Sequence, residues 1–113
     1  MQTATAIASL AALAQESRLA IFRLLVEAGP TGLSVGEIGA ELKVAPATLS
    51  FHLKELANAG LVASRQEGRF IFYTAAFDRM NDLVAYLTEN CCSRDGCCPP
   101  KDAKRRARQA SKP

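Results

Sequence analysis

The sequence lacks several features that would assign it to a common class of protein. It has a single histidine, His52, so one chain cannot build a metal site from several histidines. It has no glycine-rich nucleotide loop and no convergent set of acid and base side chains, which argues against an enzyme. No apolar run approaches the roughly 18 residues that a membrane span requires. Because no Lys or Arg precedes the apolar stretch at residues 6–14, we do not interpret it as a secretion signal, and we expect a cytoplasmic protein.

Cysteine is absent from the first 90 residues. All four cysteines lie close together near the end of the chain, at Cys91, Cys92, Cys97 and Cys98. In a reducing cytoplasm such thiols do not form structural disulfides, so they are candidates for metal or redox chemistry.

The net charge of +3 is unevenly distributed along the chain. Residues 101–113 contain six Lys or Arg and one acid, giving +5, whereas residues 1–100 contain eight basic and ten acidic side chains, giving −2. The length of 113 residues and the apolar content of 49% predict one folded domain over residues 1–100. The basic segment 101–113 is predicted to be a disordered tail, or else an arm that touches nucleic-acid phosphates.

Apolar periodicity and capping residues predict five helices and one hairpin, with the second helix central. Ser34 and Glu37 have the pattern of a capping box at the start of the third helix, Pro46 suits the first position of the fourth, and Gly60 ends the fourth as in a Schellman motif. The helices cover residues 3–14, about 16–28, about 34–42, 46–59 and about 77–90. Residues 61–66 and 69–74 are β-tolerant runs joined by Glu67-Gly68, which is typical of a tight hairpin. The predicted fold is mainly α with a β-hairpin, a winged helix-turn-helix in the order α-α-α-α-β-β-α. The first and last helices carry more apolar surface than so small a domain can bury, which predicts a homodimer.

Two short helices with a tight turn, followed directly by a hairpin, place the second helix in the major groove of DNA. That helix is residues 46–59, with Leu49, Leu53 and Leu56 turned inward. The candidate DNA-binding residues are Thr48, Ser50, His52 and Lys54 on the helix and Arg65 and Arg69 in the hairpin. His52 could instead be a packing or capping group, and the two arginines could instead be only solvated.

Five segments resemble the ArsR/SmtB family of metal-responsive winged-helix repressors. They are LAQESRL (13–19), LSVGEI (33–38), LSFHLKEL (49–56), GLV (60–62) and GRFIFY (68–73). The resemblance covers about residues 8–90. It implies a homodimer that is paired through its first and last helices, binds palindromic double-stranded operator DNA, and represses a resistance operon.

Neither of the sensor sites best known in that family is present. Where arsenic sensors of the family carry Cys-Val-Cys at the start of the third helix, this sequence has Ser34-Val35-Gly36. The last helix also lacks the histidines that zinc-sensing members use. The family is known to relocate its site, and the cysteines after the last helix are the remaining candidates.

Thiolates prefer soft ions, and arsenite can exchange its three hydroxyls for three thiols with loss of water. We assign Cys91, Cys92 and Cys98 as ligands, with Cys97 as the alternative third sulfur. The predicted function is a repressor released by As(III), or by the chemically similar Sb(III), with no organic cofactor. The same cysteines could instead make a redox-, Cd(II)- or Zn(II)-responsive repressor, and a metallochaperone that carries arsenic is the alternative outside DNA binding.

Overall fold

The computed structural model describes residues 1–94. Cys97, Cys98 and the basic tail 101–113 therefore lie outside the described residues. The elements, in chain order, are α1 Thr3–Leu13, α2 Glu16–Ala28, a 3-10 turn Gly29–Thr31, β1 Leu33–Ser34, α3 Val35–Leu42, α4 Pro46–Asn58, β2 Val62–Glu67, β3 Phe70–Ala75 and α5 Phe77–Thr88. The predicted winged helix-turn-helix is confirmed, with β1 as an addition. Among the described residues, no helix is long and apolar enough to cross a membrane.

The core lies where α2 meets the α3–α4 pair and the start of the hairpin. Its fully buried large side chains are Ile21, Leu25, Ile38, Leu49, Leu53, Leu56 and Leu61. The leucines of α4 are inward as predicted, and α2 is central as predicted. Full burial of a Leu or Ile stabilises the fold by about 1.5–3 kcal/mol. One stripe of α4 is therefore held firmly, while the opposite face remains open to solvent.

Small side chains attach α1 to the rest of the domain. Ala6 and Ser9 are its buried residues, and they permit a close approach of the helix backbone. Of its larger side chains, Ile7 is 61% exposed and Leu10 is 41% exposed, whereas Leu13 is partly buried against the core. The single chain therefore leaves part of the apolar surface predicted for α1 open, at Ile7 and Leu10.

The last helix is similar. Leu83 is buried, but Val84 is 56% exposed and Leu87 is 58% exposed, so only part of the predicted apolar face of α5 reaches the core. The Thr3 Oγ1 atom lies 2.6 Å from the Tyr86 hydroxyl oxygen, so α1 and α5 are neighbours. The two helices together leave apolar surface that a second protomer could cover.

The wing is an antiparallel sheet in the order β1-β3-β2. Glu67 pairs with Phe70, so the two-residue link is Gly68-Arg69 and the predicted link Glu67-Gly68 is wrong by one position. Gly68 has a φ of +64°, which suits the first central position of a type II′ turn. The chain shifts its turn because only glycine enters this conformation without strain.

Strand β1 lies against β3, with Leu33 opposite Tyr73. The approach depends on Gly32, which has a φ of +73°. A Cβ atom at Gly32 would collide with the Tyr73 carbonyl oxygen and with the Thr74 methyl group. The glycine therefore allows the chain to cross close to β3 before α3 begins.

Candidate nucleic-acid interface and cysteine site

Local interactions fix the start of α3 and the turn between α3 and α4. The Glu37 amide donates to Ser34 Oγ at 3.2 Å, and the Ser34 amide donates to Glu37 Oε1 at 2.8 Å, which confirms the predicted capping box. Lys43 ends α3 with a left-handed φ of 56°. Pro46 is the first residue of α4, as predicted. Lys43 and Pro46 bound the turn and so orient α4 relative to α3.

The C-terminal end of α4 is closed by a Schellman motif and by a side chain from α5. The Leu61 amide donates to the Leu56 carbonyl at 3.0 Å, and Gly60 has a φ of +78°. The Arg79 Nη1 atom donates to the Ala59 carbonyl at 2.7 Å. A cation at a helix C-terminus also interacts favourably with the helix dipole. The end of α4 is thus bonded to α5.

The outer face of α4 carries three of the predicted DNA contacts. Thr48, Ser50 and Lys54 are all exposed. Lys54 is the one basic residue of α4, and Glu55 is its one acid. Glu55 is half-buried in a groove that Arg18 also lines. The open surface of α4 therefore combines a cation with hydroxyl groups, which suits a polyanionic partner.

Two further residues, which were not predicted from the sequence, also lie on the outer face. Ala47 and Phe51 are both exposed, and Phe51 is 56% exposed. Neither side chain forms hydrogen bonds, so the search of the sequence for hydrogen-bonding groups did not find them. A projection at about 100° per residue would have found both, since it places them opposite the buried leucines.

His52 does not lie on the open surface of α4. It is 8% exposed, and its Nδ1 atom is 3.4 Å from Arg18 Nη1. Arg18 Nε also donates to the Ala12 carbonyl at 2.7 Å. Because a guanidinium only donates hydrogen bonds, Nδ1 is the acceptor of this pair. Of the two predicted roles for His52, the geometry supports packing, in which the ring joins α4 to α1 and α2.

The two predicted DNA contacts in the wing differ in their surroundings: Arg69 is open to solvent, whereas Arg65 is bonded to other groups of the protein. Arg69 is exposed in the turn at the tip. The Arg65 Nε atom donates to Glu67 Oε2 at 2.7 Å, and Arg65 Nη2 donates to the Thr31 carbonyl at 2.8 Å. The same guanidinium lies 5.1 Å from the centroid of the Phe72 ring. An exposed ion pair is worth about 0–1 kcal/mol, so a DNA phosphate could replace Glu67 at little cost.

Cys91 and Cys92 follow α5 in a turn. Their Sγ atoms are 3.7 Å apart. Asn90 has a φ of 60° and Cys92 a φ of 59°, so the chain leaves helical geometry, as two neighbouring sulfurs on one side require. In the part of the chain that the structure describes, no three His, Cys, Asp or Glu side chains converge on a metal-sized site. The proposed third sulfur lies beyond that part.

An α3-turn-α4 unit with an exposed outer helix face and an adjacent β-wing defines a winged-helix DNA-binding protein. The helix-turn-helix domain family HTH_20 matches residues 13–65. The transcriptional activator HlyU of Vibrio cholerae is 35% identical over 85 residues, which are 75% of this chain and 76% of HlyU.

Solved structures agree with this result. HlyU from Vibrio cholerae superimposes with a TM-score of 0.63 at 34% identity, over 81% of this chain and 99% of that one. An ArsR-like transcriptional regulator from Rhodococcus sp. RHA1 gives a TM-score of 0.70 at 26% identity, over 96% of this chain and 93% of that one. A protein named as a possible transcriptional regulator for arsenical resistance gives a TM-score of 0.60 at 29% identity, over 70% of this chain and 79% of that one.

The chain belongs to the ArsR/SmtB family of winged-helix transcriptional regulators. It is a DNA-binding regulator of transcription and not an enzyme.

Proposed function

We propose that this regulator is a homodimeric repressor of a metal or metalloid resistance operon and that As(III) releases it from its operator. The ligands would be Cys91, Cys92 and a third thiol, which we assign to Cys98. Sb(III) is also thiophilic and would act in the same way. Similarity to a protein named for arsenical resistance is consistent with this proposal.

The observation that carries the proposal is the position of the two sulfurs. Two sulfurs bonded to one ion at about 2.3 Å, at any angle up to about 120°, lie at most about 4 Å apart. The Sγ atoms of Cys91 and Cys92 are 3.7 Å apart, so little movement would let both bind one atom. Cys91 is exposed and Cys92 is partly exposed, so a small solute can reach them.

The chemistry requires no change of oxidation state. As(OH)₃ and three protein thiols give As(SR)₃ and three water molecules, because each thiol proton leaves with one hydroxyl group. Three As–S bonds form and three As–O bonds break. The product is neutral, so the site needs no compensating charge.

Occupancy of this site could reach the DNA-reading helix through α5. The cysteines follow the C-terminal end of α5, and Arg79 near its start is bonded to the Ala59 carbonyl at the end of α4. Tyr86 of α5 contacts Thr3 of α1. In a dimer paired through α1 and α5, two copies of α4 must meet half-sites about 34–36 Å apart, so a small rotation of α5 would misplace both.

The test is an operator-release titration. An operator is selected from random-sequence duplexes, and its affinity is measured by fluorescence anisotropy without oxygen and with a phosphine reductant. Arsenite should weaken operator binding about 5- to 150-fold, the usual range of such coupling. The variant Cys91→Ser, Cys92→Ser should bind the operator as wild type does and ignore arsenite. Ser93→Ala, in the same turn, is the matched control and should respond normally.

Each alternative gives a different result in this assay. Release of the double serine variant by arsenite would show that the site lies elsewhere. Release by an oxidant, Cd(II) or Zn(II) but not by arsenite would identify a different inducer for the same cysteines. A metal-free protein that binds no operator would favour the metallochaperone and contradict the repressor.

A further inference from the structure

The outer face of α4 contains a large aromatic side chain that packing does not explain. Phe51 is 56% exposed, whereas its helix neighbours Leu49, His52 and Leu53 are buried. Burial of a phenylalanine side chain is favourable, because it removes a large apolar surface from water. An exposed phenylalanine at this position therefore retains apolar surface that a partner can cover.

The surroundings of Phe51 indicate which partner. Lys54 lies one turn away on the same face, and Ser50 is exposed beside it. Phe51 is on α4, whereas the exposed apolar residues expected to pair two protomers are on α1 and α5, such as Ile7 and Leu87. This part of the DNA-reading helix therefore has an apolar centre with a cation and a hydroxyl group beside it. Such a surface fits the major groove of double-stranded DNA.

The major groove offers one apolar group on the edges of its base pairs, the C5-methyl group of thymine. A phenylalanine contact with this methyl group distinguishes thymine from cytosine without a hydrogen bond. We infer that Phe51 contacts a thymine methyl group in each operator half-site and so determines base specificity there. This inference rests on DNA binding by α4.

The Phe51 ring packs against the ring of His52. Its centroid lies 5.6 Å from that of the His52 ring, with an angle of 60° between the planes, an edge-to-face arrangement. His52 in turn is held by Arg18, which is bonded to the Ala12 carbonyl. A supported ring loses less conformational freedom on binding, which favours a specific contact.

The experiment removes the thymine methyl group from the operator and leaves the protein unchanged. In an operator selected from random duplexes with wild-type protein, each thymine is replaced in turn by deoxyuridine, which lacks only the C5-methyl group. One position per half-site should lose about fourfold in affinity, which corresponds to about 0.8 kcal/mol for one buried methyl-sized group. Phe51→Ala should bind the parent operator more weakly and should lose nothing further at that position.

Lys54→Ala is the matched control on the same face. A lysine that contacts phosphate acts on all sequences, so this variant should weaken binding uniformly and reduce the salt dependence. It should retain the fourfold deoxyuridine effect. Thermal melting confirms that each variant is folded, and the wild-type deoxyuridine scan requires no variant.

Two results would overturn the inference. One is a wild-type protein that is insensitive to deoxyuridine at every position, and the other is a Phe51→Ala variant that keeps the full effect. Failure of wild-type protein to select any duplex would instead contradict operator binding itself, so the two failures are distinguishable.

Discussion

The bond between α5 and the end of α4 can be tested by the substitution Arg79→Ala. The Arg79 guanidinium donates to the Ala59 carbonyl at 2.7 Å and lies so close to Gly60 that a Cβ atom there would be 2.7 Å from Nη1. A hydrogen bond with a charged partner contributes about 1.5–3 kcal/mol to the free energy of unfolding. Arg79 is only partly buried, so water can replace the donor, and we expect a loss at the lower end of this range.

A loss of about 1.5–2 kcal/mol lowers the melting temperature of a domain this size by on the order of 10 °C. The assay is thermal unfolding followed by circular dichroism at one fixed protein concentration, because the stability of a dimer depends on concentration. Arg79→Lys keeps one donor and should recover part of the loss. Arg23→Ala, which removes an exposed arginine from α2, is the matched control and should change stability by less than about 0.5 kcal/mol.

The same variant tests the proposed route from the cysteines to α4. With the α5–α4 bond removed, arsenite should weaken operator binding by a smaller factor than in wild type. Suppose that Arg79→Ala has the same melting temperature as Arg23→Ala and keeps the full response to arsenite. The contact then contributes neither stability nor coupling, and the reasoning is refuted.

Three further predictions concern other parts of the chain. The protein should sediment as a dimer at micromolar concentration, because Ile7 and Leu87 are exposed in the single chain; a monomer would contradict the pairing of α1 and α5. Ser34→Ala should lower the free energy of unfolding by about 0.5–2 kcal/mol through loss of the capping box; unchanged denaturant unfolding would show that the cap is dispensable. Deletion of residues 101–113 should leave the preferred operator unchanged and, if the tail contacts phosphates, should flatten the salt dependence of binding; an unchanged slope would show that the tail is only solvated.

The helix boundaries could be predicted because their signals are local. The capping box at Ser34, the proline at position 46 and the Schellman glycine at position 60 each act within a few residues, and all three occur as predicted. The hairpin was predicted one residue too early because the pattern does not say which turn position Gly68 occupies. The two-residue strand β1 is too short to produce any periodicity.

The roles of His52 and Arg65 depend on contacts that no local pattern contains. Each is bonded to a group 34 residues away, His52 to Arg18 and Arg65 to the Thr31 carbonyl. Burial of His52 follows from how α2 crosses α4, and no local sequence pattern reveals that crossing. Phe51 was missed for a different reason, because only side chains that form hydrogen bonds were considered as DNA contacts.

The central claim is that As(III) and operator DNA compete through one conformational equilibrium. The most direct test measures the affinity for arsenite, by the ultraviolet absorbance of its thiolate complex, for the free protein and for the protein saturated with operator. Because coupling is reciprocal, operator should weaken arsenite binding by the same factor by which arsenite weakens operator binding. Equal arsenite affinity with and without operator, at a stoichiometry of one As(III) per site, would contradict the account.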